Sequence, residues 1–412
     1  MKFKNIFLIL IIFLSVAVSC KREKTDGTVP VVMEEKKVPE AATAAAEVKD
    51  PPVSEELLVT SLFLSGRLQT VDKSVPIGSY LKNDSYGVYK KKIHDHWAQY
   101  KKLIYDPLVE WRKKNIPKVD NKLVFYPFSG PDFPNANALY PDAQEYIMIG
   151  LEPGGLEPNI DAMPKEKVMK GLFEIVASQD SISRLNFYMT NKMKQNISAS
   201  VFKGTAPVIL TYFGLLGFKP LSLRSITVND EGNIEYLTQK DIAEKYKNGN
   251  VSVEFIFLDA EGRKKKLTYF SANVANEGIT AKPNVMKYLE KKESFVSTFK
   301  AASYLVHYAN FSKIKDYAVS RAEMIVMDDT GPRISDLKKD FDITVYGKYT
   351  KPIALWPNMY QASLTDLHNK QKPAPIHFRF GYGTLHGTHH LILAKRKEKS
   401  APPVPETPAK GK

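Results

Sequence analysis

A single cysteine, Cys20, in 412 residues excludes any intramolecular disulfide. A fold built from this chain must therefore be held by buried apolar surface. A chain of this length can do that, because the fraction of surface removed from water rises with size. Tyr and Phe contribute 21 residues each, which predicts an aromatic core. The overall make-up is that of a globular protein, 43% hydrophobic and 25% charged, so segments that do not fold have to be found locally.

The position of the cysteine is informative. Lys2 and Lys4 precede an apolar run over residues 6–18, broken only by Ser15. The run is shorter than the ~20 residues of a membrane-spanning helix and has the length of a signal-peptide core. Ala17-Val18-Ser19-Cys20 follows and resembles the lipobox of bacterial lipoproteins, with Ala17 where the usual pattern has Leu. The resemblance implies a signal peptide over residues 1–19. It also implies two or three acyl chains on Cys20, palmitate among them, and a lipid anchor in the cell membrane or outer membrane. One acyl chain holds a protein to a bilayer only marginally, whereas two or more hold it stably.

Residues 20–55 contain Ala, Glu, Lys, Val and Pro but no Phe, Tyr or Trp, and read as a disordered tether. Residues 395–412 have similar composition and read as a disordered basic, Pro-containing tail. The folded region is expected over residues 56–394. The chain's net charge is +14. Setting aside the two signal-peptide lysines, six basic and eight acidic tether residues, and six basic and two acidic tail residues leaves about +10 on the folded region. Beyond the bilayer itself, such a surface suits an anionic envelope or host polymer, or is merely solvated. Export disfavours nucleic acid. Nothing in the sequence implies a cofactor.

Periodicity predicts a helix over 88–115, with Trp97, Tyr100, Ile104, Leu108 and Trp111 on one face. Further helices are expected over 165–179, 182–194, 299–307 and 312–321, and a buried one over 204–216. Strands are expected over 123–126, 145–151, 222–228, 251–258, 265–270, 324–327, 343–346, 376–380 and 390–394. The turn Asp259–Gly262 joins two of them as a hairpin. The pattern is α/β: a mixed sheet with flanking helices, in one or two lobes.

Two acidic loops stand out. Residues 127–134 (PFSGPDFP) follow the first of these strands and carry Ser129, Gly130 and Asp132; LEPGG follows the second and carries Glu152. Open α/β sheets bind ligands beyond the carboxyl ends of their strands, so Asp132 and Glu152 are candidate acid–base groups, with Ser129 and Gly130 as ligand contacts. The alternative is that Asp132 caps the next helix and the rest only turn the chain. No GxGxxG accompanies these loops. Asp328 and Asp329 follow the strand 324–327 and are candidates of the same kind, although neighbouring side chains on extended backbone point apart. The favoured alternative is that they form a turn with Thr330 and Gly331. His386, His389 and His390 could present imidazoles to a metal, but there is no HExxH and no metal site is expected. His94 and His96 are two apart on a helix and do not share a face.

VFYPFSGPDF, IGLEP, FKAASYLVH and MDDTGPR, taken together, resemble a bacterial domain family without an assigned activity. The resemblance spans most of residues 60–395 and implies one folded unit. The expected role is binding or structural work at the cell envelope. The alternative is an enzyme using the carboxylates of the SGPD, LEP and MDDTG loops.

Overall fold

LVFY, EYIMIG and AEMIVM are too short for ordinary helices and almost wholly apolar, so each has to be covered on both faces. In the computed structural model, which describes residues 54–70, 76–118, 120–187, 200–246, 251–382 and 389–398, they lie in the middle of one ten-stranded sheet. Cys20, almost all of the tether, His386 and most of the tail fall outside the described residues.

The strands are β1 (Leu123–Tyr126), β2 (Glu145–Gly150), β3 (Lys219–Val228), β4 (Ile234–Tyr236), β5 (Ser252–Leu258), β6 (Lys264–Ser271), β7 (Phe295–Phe299), β8 (Ala322–Met327), β9 (Phe341–Gly347) and β10 (His390–Arg396). They are ordered β4-β3-β5-β6-β2-β1-β7-β8-β10-β9. The central five, β6 to β8 in that order, run parallel. Both flanks are antiparallel. The mixed α/β fold is as expected, and the sheet runs unbroken rather than dividing into two lobes.

Alternation along the strands builds two cores. Val124 and Tyr126 enter one and Phe125 the other; Tyr146 and Met148 oppose Ile147 and Ile149. Helices preceding Gly217 supply the first core, including Phe63, Tyr89, Leu172 and Phe213. Helices after residue 275 supply the second, including Leu289, Ile314 and Leu364. The helix Ala206–Leu216 is apolar all round and almost wholly buried. Its Phe213 packs against Phe133, Phe218, Phe255 and Phe257, at ring distances of 4.4 to 6.2 Å.

The expected helix over 88–115 is two helices, Asp84–Tyr100 and Asp106–Asn115, joined by a π-turn over Lys101–Tyr105. All five residues of its apolar face are buried. Three expectations fail. Residues 299–307 are not a helix: Phe299 ends β7, and positive φ at Ala301, Ser303 and Tyr304 turns the chain before a short 3-10 segment. Residues 165–185 form one helix that ends at Asn186 in the left-handed region, so no break separates 179 from 182. Residues 376–380 alternate in burial but join no strand; Phe378 instead packs near Trp111.

Candidate functional site

The parallel strands deliver their carboxyl ends to one edge. From β1 the chain moves to β2 on one side, while β7 and β8 lie on the other, so the order reverses at β1. That reversal opens a crevice where ligands bind in sheets of this kind. The loops after β1, β2, β7 and β8 carry Asp132, Glu152, Lys300 and Asp328–Asp329.

Asp132 precedes the helix Phe133–Leu139, but its side chain makes no capping hydrogen bond. Its carboxylate is 2% exposed and turns to the sheet edge instead. Lys300 Nζ lies 2.6 Å from its Oδ2, and the Tyr126 hydroxyl donates to the same oxygen at 2.7 Å. Asn135 donates to Oδ1 at 2.7 Å. Lys300 is equally buried and also donates to the Asn186 carbonyl and side-chain oxygens. Its three N–H groups are thereby matched by three acceptors. Burial pulls the Lys300 ammonium below its ordinary range, and the Asp132 charge opposes that pull. Burial, then Asp132, pushes the Tyr126 phenol well above its usual value, so it remains a donor.

Glu152 sits beyond β2, also 2% exposed. The Tyr269 hydroxyl, at the end of β6, lies 3.2 Å from its Oε2. The next residues lock the loop: Thr205 N–H donates to the Pro153 carbonyl at 2.9 Å, and Ala206 N–H to that of Gly154 at 2.8 Å. Gly150 is needed here, since a Cβ would collide with the Tyr269 hydroxyl and the Glu152 carboxylate.

Tyr126, Ser129, Gly130, Asp132, Glu152 and Lys300 line one cavity, together with Phe128, Phe187 and Ala301. About 20 Å³ is open to the centre of a water molecule, room for about one water. The roomier concavity between the helix Glu55–Leu64 and β3, about 900 Å³, gathers no comparable set of buried charges.

Asp328 and Asp329 face different partners. The amides of Ala301 and Tyr382 donate to Asp328 Oδ2 at 2.9 and 3.2 Å. Thr330 donates to its Oδ1 from both amide and hydroxyl. Burial, then the neighbouring Asp329 charge, raises the Asp328 carboxyl above its usual value. Asp329 accepts from the Tyr304 hydroxyl at 2.6 Å and lies 3.3 Å from His390 Nε2. Neither aspartate lines the small cavity; Asp328 meets it through the Ala301 backbone.

Six non-glycine residues have positive φ among the described residues. Five of them, Phe128, Asn186, Ala301, Ser303 and Tyr304, lie on or beside this site. The sixth, Lys372, ends the helix Ala362–Gln371. Such conformations cost on the order of 1–3 kcal/mol each and gather where surrounding structure holds a functional geometry.

Asp132, Glu152, Ser129 and Gly130 are thus brought together. Asp328 adjoins them, and Asp329 belongs to a second cluster with His390. Lys300, Tyr269, Asn135 and Asn186 escaped the sequence reading. His94 bonds the Ser65 carbonyl at 3.0 Å, whereas His96 approaches Asp180 at 4.0 Å. No group of three or more His, Cys, Asp or Glu could hold a metal among the described residues. None of the described helices is long and apolar enough to cross a membrane. No family model, curated protein or solved structure matches the chain.

Proposed function

We propose that the chain is a lipid-anchored envelope protein whose folded region is a hydrolase acting on a small polar substrate or polar group. The observation that carries this reading is the meeting of Asp132, Glu152 and Lys300 around a water-sized cavity at the sheet's reversal point. Glu152 is the acid–base group that activates the water. Lys300, its three N–H groups taken by Asp132 and Asn186, contributes only its positive charge to the cavity wall and holds the Asp132 carboxylate beside the water site. Ser129 is not the nucleophile, because its hydroxyl is turned to the Ile149 carbonyl at 3.3 Å. Membrane attachment at Cys20 rests on the lipobox resemblance and limits the substrate to what reaches an envelope surface.

A second reading is favoured by one observation, the charge of about +10 on residues 56–394. It is non-catalytic binding of an anionic envelope polymer. Two assays on the full chain in detergent separate the readings. Turnover of simple esters, amides, glycosides or phosphoesters supports the hydrolase. No turnover, with salt-sensitive retention on an anionic polymer, supports the binding role and overturns the hydrolase.

A further inference from the structure

The second cluster at the same edge has a geometry with two alternative states. β10 pairs antiparallel with β8, with Ile392 opposite Met327. Continuing that register by two residues sets His390 beside Asp329. His390 Nε2 then has two rival partners on one residue. The Asp329 amide points at it from 3.1 Å, and Asp329 Oδ1 lies 3.3 Å away. Neutral at Nε2, the imidazole accepts the amide N–H. Protonated, it donates to the carboxylate. One nitrogen cannot do both.

We infer that His390 is a positioning residue, whose proton decides how Asp329 is held and, through it, how Asp328 meets the Ala301 and Tyr382 amides beside the catalytic cavity. This rests on the hydrolase reading for its meaning, though the coupling itself does not need turnover. The remaining arms of Asp329 are fixed. Tyr304 donates to Oδ2, and Gln361 donates to the main-chain carbonyl at 3.1 Å. A change at Oδ1 or at the amide is therefore passed along the backbone to Asp328. Gly381 packs its backbone so closely on the Asp328 carboxylate that a Cβ there would collide with it.

Other ionisable groups face His390 from each packed element. Asp329 and Asp328 come from the end of β8, Tyr349 follows β9 at a ring distance of 5.2 Å, and His368 of the helix Ala362–Gln371 lies at 6.4 Å. His389 immediately precedes it, just outside β10. Burial opposes a proton on His390, but the Asp329 hydrogen bond and charge, then Asp328, outweigh it and raise the imidazole above its usual range. Burial, then His390, lowers His368 to about 4, so His368 is neutral while His390 titrates.

The test is nuclear magnetic resonance of the full chain in detergent, labelled with ¹⁵N-histidine and on backbone amides, between pH 5 and 10. The His390 signal is identified by its loss in His390→Gln. It should titrate above His307, His368 and His389, which burial lowers, with the Tyr382 and Ala301 amides shifting at the same midpoint. In Asp329→Asn, which keeps the His390 ring, the midpoint should fall and the amide shifts should uncouple. A His390 locked in one state over this range, or titrating without moving those amides, overturns the inference. Coupling seen in a protein that hydrolyses nothing leaves the switch standing and removes only its catalytic meaning.

Discussion

Replacing Lys300 by Met removes the cation beside Asp132 and keeps the volume of the stem. The carboxylate that remains is 2% exposed and retains only neutral donors, Tyr126 at 2.7 Å and Asn135 at 2.7 Å. Breaking one side of a buried pair costs about 3–5 kcal/mol, because the other charge is left uncompensated. Asp132→Asn should cost a similar amount, since Lys300 then faces only neutral oxygens, those of Asn186 and of the new amide. The double replacement Asp132→Asn with Lys300→Met removes both charges and should cost less than the two singles added together. A coupling of ~2 kcal/mol or more is expected from urea unfolding at pH 7 of the wild type, both singles and the double. Against a typical total of roughly 5–15 kcal/mol, each single loss is large enough to measure. Additive singles, or a Lys300→Met loss below about 1 kcal/mol, would refute the claim that this pair is a buried, mutually dependent unit.

Other outcomes follow from the same geometry. Gly381→Ala places a Cβ on the Asp328 carboxylate at φ +56°, so thermal melting should register a loss of about 2 kcal/mol or more. Phe213→Ala removes a ring packed against four others and should cost about 3–5 kcal/mol in denaturant unfolding. His368 is depressed to about 4 in the fold against 6.5 as a free group, so it stabilises above pH 6.5 and that contribution is lost as pH falls toward 4. The effect is on the order of 1–2 kcal/mol, and His368→Gln should flatten that limb of stability against pH.

The strands of the site were legible where the sequence leaves no alternative. LVFY and EYIMIG are short and apolar, and the Gly/Pro-rich loops that follow can only turn the chain. Asp132 and Glu152 were visible for the same reason, since each is an acid at the end of such a strand. Lys300 was not. FVSTFKAASYLVH carries apolar residues at spacings that suit a helix as well as a strand, and the turn that ends β7 uses Ala301, Ser303 and Tyr304 at positive φ with no glycine to announce it. Only the surrounding contacts hold that backbone. The Asn186 arm was hidden for a related reason: a left-handed asparagine ends the helix Lys165–Leu185, and its side chain reaches across to Arg379 and Lys300. The pairing of His390 with Asp329, 61 residues apart in sequence, depends on the β8–β10 register, which packing on both faces of the sheet fixes.

The most direct test of the central claim compares the wild type with Glu152→Gln on whichever ester, amide, glycoside or phosphoester the wild type cleaves. The exchange is near-isosteric and keeps an oxygen within reach of the Tyr269 hydroxyl. The account predicts a fall in kcat of at least ~100-fold with the melting temperature held within a few degrees. Turnover retained in folded Glu152→Gln, or no cleavage of any of the four bond types by the wild type, would contradict it.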